Sequence, residues 1–271
     1  MVDTGTGLAI LGPSAIVLKI LGPTADYVGE SVQHWTETRA ENLRRVFEKA
    51  ERKLGPERLE EPGQVPPRVL KGVLDEGQFR ADDLGAEYLG GVLASSRTEV
   101  ERDDRGATLV ALVSRLSTYQ LRTHYIIYAC AQRLLSGGEL EFGDPATRRQ
   151  KAAFFLPVST WVPAMEFSAG EREDSLAIVD HTLLGLARED LIDKSLLGTG
   201  QDAIEESLHK RPPEPGLLIT LSMPGIELFT AAHGLVGRPS ELFQGDPSVF
   251  SVEPELPLGE GMIPIADLPD L

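Results

Sequence analysis

Between residues 24 and 54 the apolar positions return every three or four residues, at Val32, Trp35, Leu43, Val46, Phe47, Ala50 and Leu54. That period predicts one long helix with a single buried stripe. Its polar face carries Glu41 with Arg45 and Glu48 with Arg52, pairs four residues apart in the favourable order. Bases are matched by acids along this face, so it reads as a solvated surface rather than a phosphate-binding arm. Gly55-Pro56 is expected to end the helix.

The Pro-rich stretch EEPGQVPPR follows as a connector, and VLKGVLDEG as a short helix. In DDLGAEYLGGVLASS, Leu84, Tyr88, Leu89, Val92 and Leu93 keep helical spacing. Gly85, Gly90 and Gly91 weaken that helix unless a close neighbour needs small residues, which is the expected reason for them. LVALVSRL predicts a further helix. Ser117 and Gln120, three apart, form a capping box that opens the next, YQLRTHYIIYACAQRLL. The first half thus reads as a helical bundle with short connections.

The pattern then changes. FFLPVSTWVPAMEF has aromatic and β-branched residues broken by two prolines, and reads as an extended linker or edge segment. A helix is expected from Glu173 to about Gly185, a strand at LLIT (residues 217–220), and a helix from Pro224 with Ser222 as N-cap and Gly234 as C-cap. From residue 245 the chain is Pro-rich, acidic and without period, and reads as an extended tail.

With 271 residues the chain is long for one domain and comfortable for two. The formal charge is −16, and six of the acids lie in the tail, where there is no Lys or Arg. So acidic a surface repels phosphate backbones, which argues against nucleic acid or an anionic membrane as a default partner. Cys130 is the only cysteine, so no intrachain disulfide forms and a reducing cytoplasm fits. Its apolar helical neighbours predict a buried thiol.

Residues 8–22, LAILGPSAIVLKILG, are apolar but short of the roughly 20 residues that span a bilayer, and they contain Pro13 and Lys19. No basic stretch precedes them, as a signal peptide would require. Leu8, Ile10, Leu11, Ile16, Val17 and Leu18 are therefore expected to contact the core, a partner or a membrane interface.

No catalytic signature is present. Gly5, Gly7 and Gly12 fit neither phosphate-binding spacing, and GTGQD lacks the Lys-Ser/Thr of a P-loop. His34, His124, His181, His209 and His233 are scattered, with no metal-ligand spacing. No G-x-S-x-G elbow occurs. The expectation is a non-enzyme without cofactor or metal.

Three blocks carry a resemblance. LGPTADYVGESV with TRAENLRRVFEKA, then VPPRVLKGVLDEG, then DDLGAEYLGGVLASS with LVALVSRLST, are similar to the Abi-alpha family. Arg39 and Asn42 occupy its Arg-x-x-Asn. Tyr88 stands where that family has tryptophan, and glycines replace larger residues. The resemblance covers residues 22–135 and implies a link to abortive infection, a bacterial response to phage. It makes Arg39 and Asn42 expected inter-helix or partner contacts, and Trp35, on the apolar stripe, is a further candidate for the same role.

The second half resembles a winged-helix module, with IVDHTLLGLAREDLID similar to the recognition helix and LITLSMPGIELFTAAHG similar to the closing strand and helix. A DNA-reading helix is basic. Here residues 173–193 hold six acids and only Arg188 as a base. In the expected wing, residues 195–216, Lys210 and Arg211 are the candidates for a phosphate contact.

The expectation is therefore mainly α: a helical bundle over residues 1–150, a small α+β winged-helix-like domain over 151–244, and an extended acidic tail over 245–271. The function expected from the resemblance is a protein-interacting or self-associating component of antiphage defence. The alternatives are a DNA-binding transcriptional regulator and a membrane-perturbing effector that uses residues 8–22.

Overall fold

The computed structural model describes residues 37–100, 102–136, 151–193, 201–235, 250, 252, 258 and 261–271. The protein is mainly helical, with a small three-stranded antiparallel sheet. Residues 8–22, and residues 24–36 of the expected long helix with Trp35 among them, lie outside the described residues.

Contacts group the chain into two compact units. The first is residues 1–115 with Thr230–Val236, and the second is Leu116–Phe229 with residues from Gly237 on. A boundary near residue 150 was expected. The structure differs because helix Thr118–Leu135 bonds with the second half: Arg122 donates to Ala164 O, Tyr128 to Leu191 O, and Trp161 to Thr123.

In the first unit, α1 (Glu37–Glu60) packs on α3 (Asp83–Ser95), with α2 (Pro67–Gly77) and α4 (Gly106–Arg115) beside them. Leu43, Val46, Phe47, Ala50 and Leu54 are all buried, as their spacing requires. Each large side chain taken from water contributes about 1.5–3 kcal/mol. The helical backbone is interrupted at Gly55, as expected: Gly55 takes φ +65° and ψ 170°, and Pro56, with no amide hydrogen to lose, starts a second helical stretch that runs to Glu60.

Gly90 lets α3 approach α1, since a Cβ there would lie 2.7 Å from Val46 O. Gly91 serves another neighbour, since a Cβ there would lie 1.8 Å from Ala232 O. Asp82 caps α3 by accepting from Gly85 N–H.

In the second unit, α5 (Thr118–Leu135) opens with the capping box of Ser117 and Gln120. β1 (Ala153–Pro157) is followed by α6 (Val158–Met165), α7 (Ala169–Glu173), α8 (Ser175–Arg188) and α9 (Gln201–Leu208). β2 (Gly216–Thr220), α10 (Met223–Ala232), β3 (Ile263–Pro264) and a 3-10 turn (Ile265–Asp267) complete it. Residues 230–232 of α10 count with the first unit.

The sheet order is β2-β1-β3. Ala153–Pro157 is thus the central strand rather than a linker or edge. It pairs with β2 on one side (Phe155 with Leu218) and β3 on the other (Phe155 with Ile263), and all five of its residues are buried. The two prolines fall where they cost little. Pro157 ends the strand, and Pro163 lies near the end of α6.

The expected wing, residues 195–216, contains the helix Gln201–Leu208, and the chain on either side of it meets: Ile192 bridges Leu221 in antiparallel fashion and Asp193 N–H donates to Thr220 O at 2.9 Å. The last residues of the expected tail also pack onto the sheet. Ile263 and Pro264 pair with β1, and Leu268 is buried with Phe155, Ile204 and Leu218. Apolar residues at 262, 263, 265 and 268 give this acidic stretch something to bury.

Candidate interaction surface

Helix α8 has two faces of different character. Ile178, Thr182, Leu183, Gly185, Leu186 and Ala187 are buried, and α5 lies beside the helix. Gly185 permits the approach, since a Cβ there would meet Gln120 Nε2 at 1.9 Å. Gln120 Nε2 donates to His181 O at 3.2 Å. Ser117 Oγ sits 2.9 Å from His181 Nε2.

The outward row of the same helix is Leu176, Asp180, Leu184 and Arg188, spaced four apart. Leu176 is 82% exposed and Leu184 65% exposed. Ala177, Asp180, His181 and Arg188 are exposed beside them, and Glu173 and Asp174 are exposed at the helix start. Two leucines thus stand out in water with an acidic margin around them.

Helix α7 supports the start of α8. Ser168 and Glu171 make a capping box, and Tyr119 donates to Glu171 Oε1 at 2.5 Å. The hydrogen bonds from Ser168 and then Tyr119 hold the Glu171 carboxyl down to about 2, while the same contact raises the Tyr119 phenol.

The positions singled out by sequence fall elsewhere. In the first unit, Asn42 is buried and its Nδ2 donates to Gln78 O at 2.9 Å, while Arg45 donates to Asn42 Oδ1 at 2.8 Å and to Ala81 O at 3.0 Å. The Arg39 guanidinium lies 4.8 Å from the centroid of the Phe79 ring, which is 64% exposed. Arg39 and Asn42 therefore join α1 to the turn after α2.

In the second unit, Lys210 Nζ donates to Leu268 O at 3.0 Å and sits 2.7 Å from Asp270 Oδ1. Arg211 Nε donates to Glu205 at 3.2 Å. The Lys210 ammonium holds the Asp270 carboxyl below its usual range. Both bases proposed for a phosphate contact are thus paired with acids of the chain itself. The Lys210–Asp270 partnership spans 60 residues of sequence, and no local pattern announces it.

Sequence reasoning also missed a buried charge group in the first unit. Glu87 is 2% exposed, with Lys49 Nζ 2.7 Å from one carboxylate oxygen and Lys53 Nζ 2.6 Å from the other. Lys49 Nζ also reaches Asp83 at 2.8 Å. Burial raises the Glu87 carboxyl, but Lys53 and Lys49 outweigh it and hold it low. Burial lowers the Lys53 ammonium against the pull of Glu87. The three residues lie on facing turns of α1 and α3. Glu87 within the Leu-rich run was the signal available.

Cys130 is buried, and burial pushes its thiol up to about 12, which leaves it protonated and unreactive at neutral pH. Among the described residues no three His, Cys, Asp or Glu converge to hold a metal, and no helix is long and apolar enough to cross a membrane. No protein-family model, curated protein or solved structure matches this chain.

Proposed function

We propose that this protein is a non-enzymatic, protein-interacting component of bacterial antiphage defence that acts in the cytoplasm. The observation that carries the interaction is the outward row of α8, with Leu176 and Leu184 exposed at two-turn spacing and acids around them. Burying that row against an apolar stripe of a partner helix removes both leucines from water. The acid-rich helix holds the place that the winged-helix resemblance gives to a recognition helix, and its charge favours protein over DNA. The defence setting rests on the Abi-alpha resemblance of residues 22–135. The cytoplasm fits a single buried thiol.

The direct test has two readouts. Cells carrying the chain are challenged with a phage panel at low and high multiplicity, and protection at low multiplicity with collapse at high multiplicity is expected. Leu176→Asp with Leu184→Asp is expected to abolish both protection and capture of the partner from infected cells. These are surface changes, so folding should shift by no more than about 0.5 kcal/mol. Unchanged protection by the folded double variant removes α8 from the function, and no protection by the wild type removes the defence reading.

A further inference from the structure

Residues 263–271 dock on the second unit as a bound peptide would. Ile263 and Pro264 add a two-residue strand to the free side of β1, opposite Phe155 and Phe154. Leu268 is the one deeply inserted side chain beyond that strand, set against Phe155, Ile204 and Leu218. Past Leu268 the backbone bridges residues 209–211: Arg211 N–H donates to Pro269 O at 2.8 Å, and Leu271 N–H donates to His209 O at 3.2 Å. Lys210 closes the contact on Leu268 O and on Asp270, itself 87% exposed on its side chain. Edge pairing, one apolar anchor and one charged tip are the elements by which a groove reads an extended peptide.

We infer that residues 263–271 are an exchangeable segment, which docks on β1 and residues 209–211 of its own chain and docks in the same way on a second copy, joining two copies reciprocally. The partner is argued from the groove's own occupant. A second copy carries an identical segment, so it fits by construction, with the same register, the same leucine and the same ion pair. The groove also needs an occupant. With the segment away, the side of β1 opposite Phe154 and Phe155 is an unpaired edge, and an edge is satisfied equally by the same strand from either chain. The docking in cis is favoured by an effective concentration on the order of millimolar, so exchange is expected in concentrated protein or after the segment has been released by warming. This surface is separate from α8 and stands or falls independently of the reading given to that helix.

Two full-length variants test the exchange. K210D sets an acid against Asp270, and D270K sets a base against Lys210, so each variant meets like charges across its own groove. Mixed in equal amounts, each groove finds a complementary segment on the other chain. After warming to the onset of unfolding and cooling, light scattering behind size exclusion is expected to give about twice 29.4 kDa for the mixture and 29.4 kDa for either variant alone. Both variants carry L176D and L184D, so that α8 adds no association of its own.

A mixture that remains at the mass of one chain, with both variants folded by circular dichroism, overturns the inference. Should either variant fail to fold, a fluorescein-labelled peptide of residues 261–271 is titrated into full-length Leu268→Ala. A saturable rise in anisotropy is expected, with affinity lost by about tenfold when the peptide also carries Leu268→Ala, as for a hot-spot anchor. No saturable binding overturns it.

Discussion

The carboxylate of Glu171 accepts from Tyr119 and from Ser168, and these bonds exist only in the folded chain. Its folded value of about 2 lies below the ordinary 4.5, so the sign of its contribution follows. The stabilisation is fully present above pH 4.5 and is lost as pH falls toward 2. The difference in urea midpoint between wild type and Glu171→Gln should therefore be constant above pH 4.5 and shrink to nothing near pH 2. Tyr119→Phe should move the Glu171 titration, followed by carbon NMR, upward toward 4.5. A Glu171 titration that Tyr119→Phe leaves in place would remove the phenol from this account.

At the scale of elements, α1 and α3 meet through a glycine at one level and through charge at the next. Gly90 lets the backbones close, and Glu87, one turn back, must then be satisfied inside the contact by Lys49 and Lys53. Glu87→Gln removes the carboxylate that Lys53 meets and leaves Lys49 with Asp83 alone. Breaking a buried ion pair in this way costs about 3–5 kcal/mol, because the remaining charge stays desolvated. Urea denaturation is expected to read that loss at pH 7, and a loss below about 1 kcal/mol would mean that water reaches the group. Removing all three charges together, as Lys49→Met, Lys53→Met and Glu87→Leu, should restore much of the stability.

These elements differ in how far sequence reveals them. The stripe Leu43 to Leu54 and the Ser117–Gln120 box are local signals with a period or a fixed spacing, and both stand in the structure. The glycines of α3 are legible as a demand for close packing, because nothing else explains three in one helix. The place of β1 is not legible. AFFLP looks like an edge because of its proline, and the strands that make it central lie about 60 and 110 residues further on. Leu176 and Leu184 are invisible for another reason. In an apolar helix every leucine looks like core until its neighbours are known, and α8 turns these two away from α5.

Charge is the property that belongs to the whole molecule. At −16 the chain repels polyphosphate backbones at every distance beyond contact, and only a local basic face could reverse that. The face proposed from sequence, Lys210 with Arg211, is neutralised by Asp270 and Glu205. A protein that makes few phosphate contacts gains little from released counterions, so even low salt gives weak affinity. Gel-shift titration of duplex DNA at about 50 mM salt, where such contacts are strongest, is expected to show no discrete complex. Lys210→Ala with Arg211→Ala should leave that result unchanged. Asp270→Ala should raise retention on heparin only slightly, because one unmasked ammonium meets a field set by the remaining acids. A discrete shifted band that disappears in the Lys210→Ala, Arg211→Ala chain would instead make this cluster a phosphate contact. It would also return the protein to the DNA-binding alternative, with residues 268–270 as the segment that must leave first.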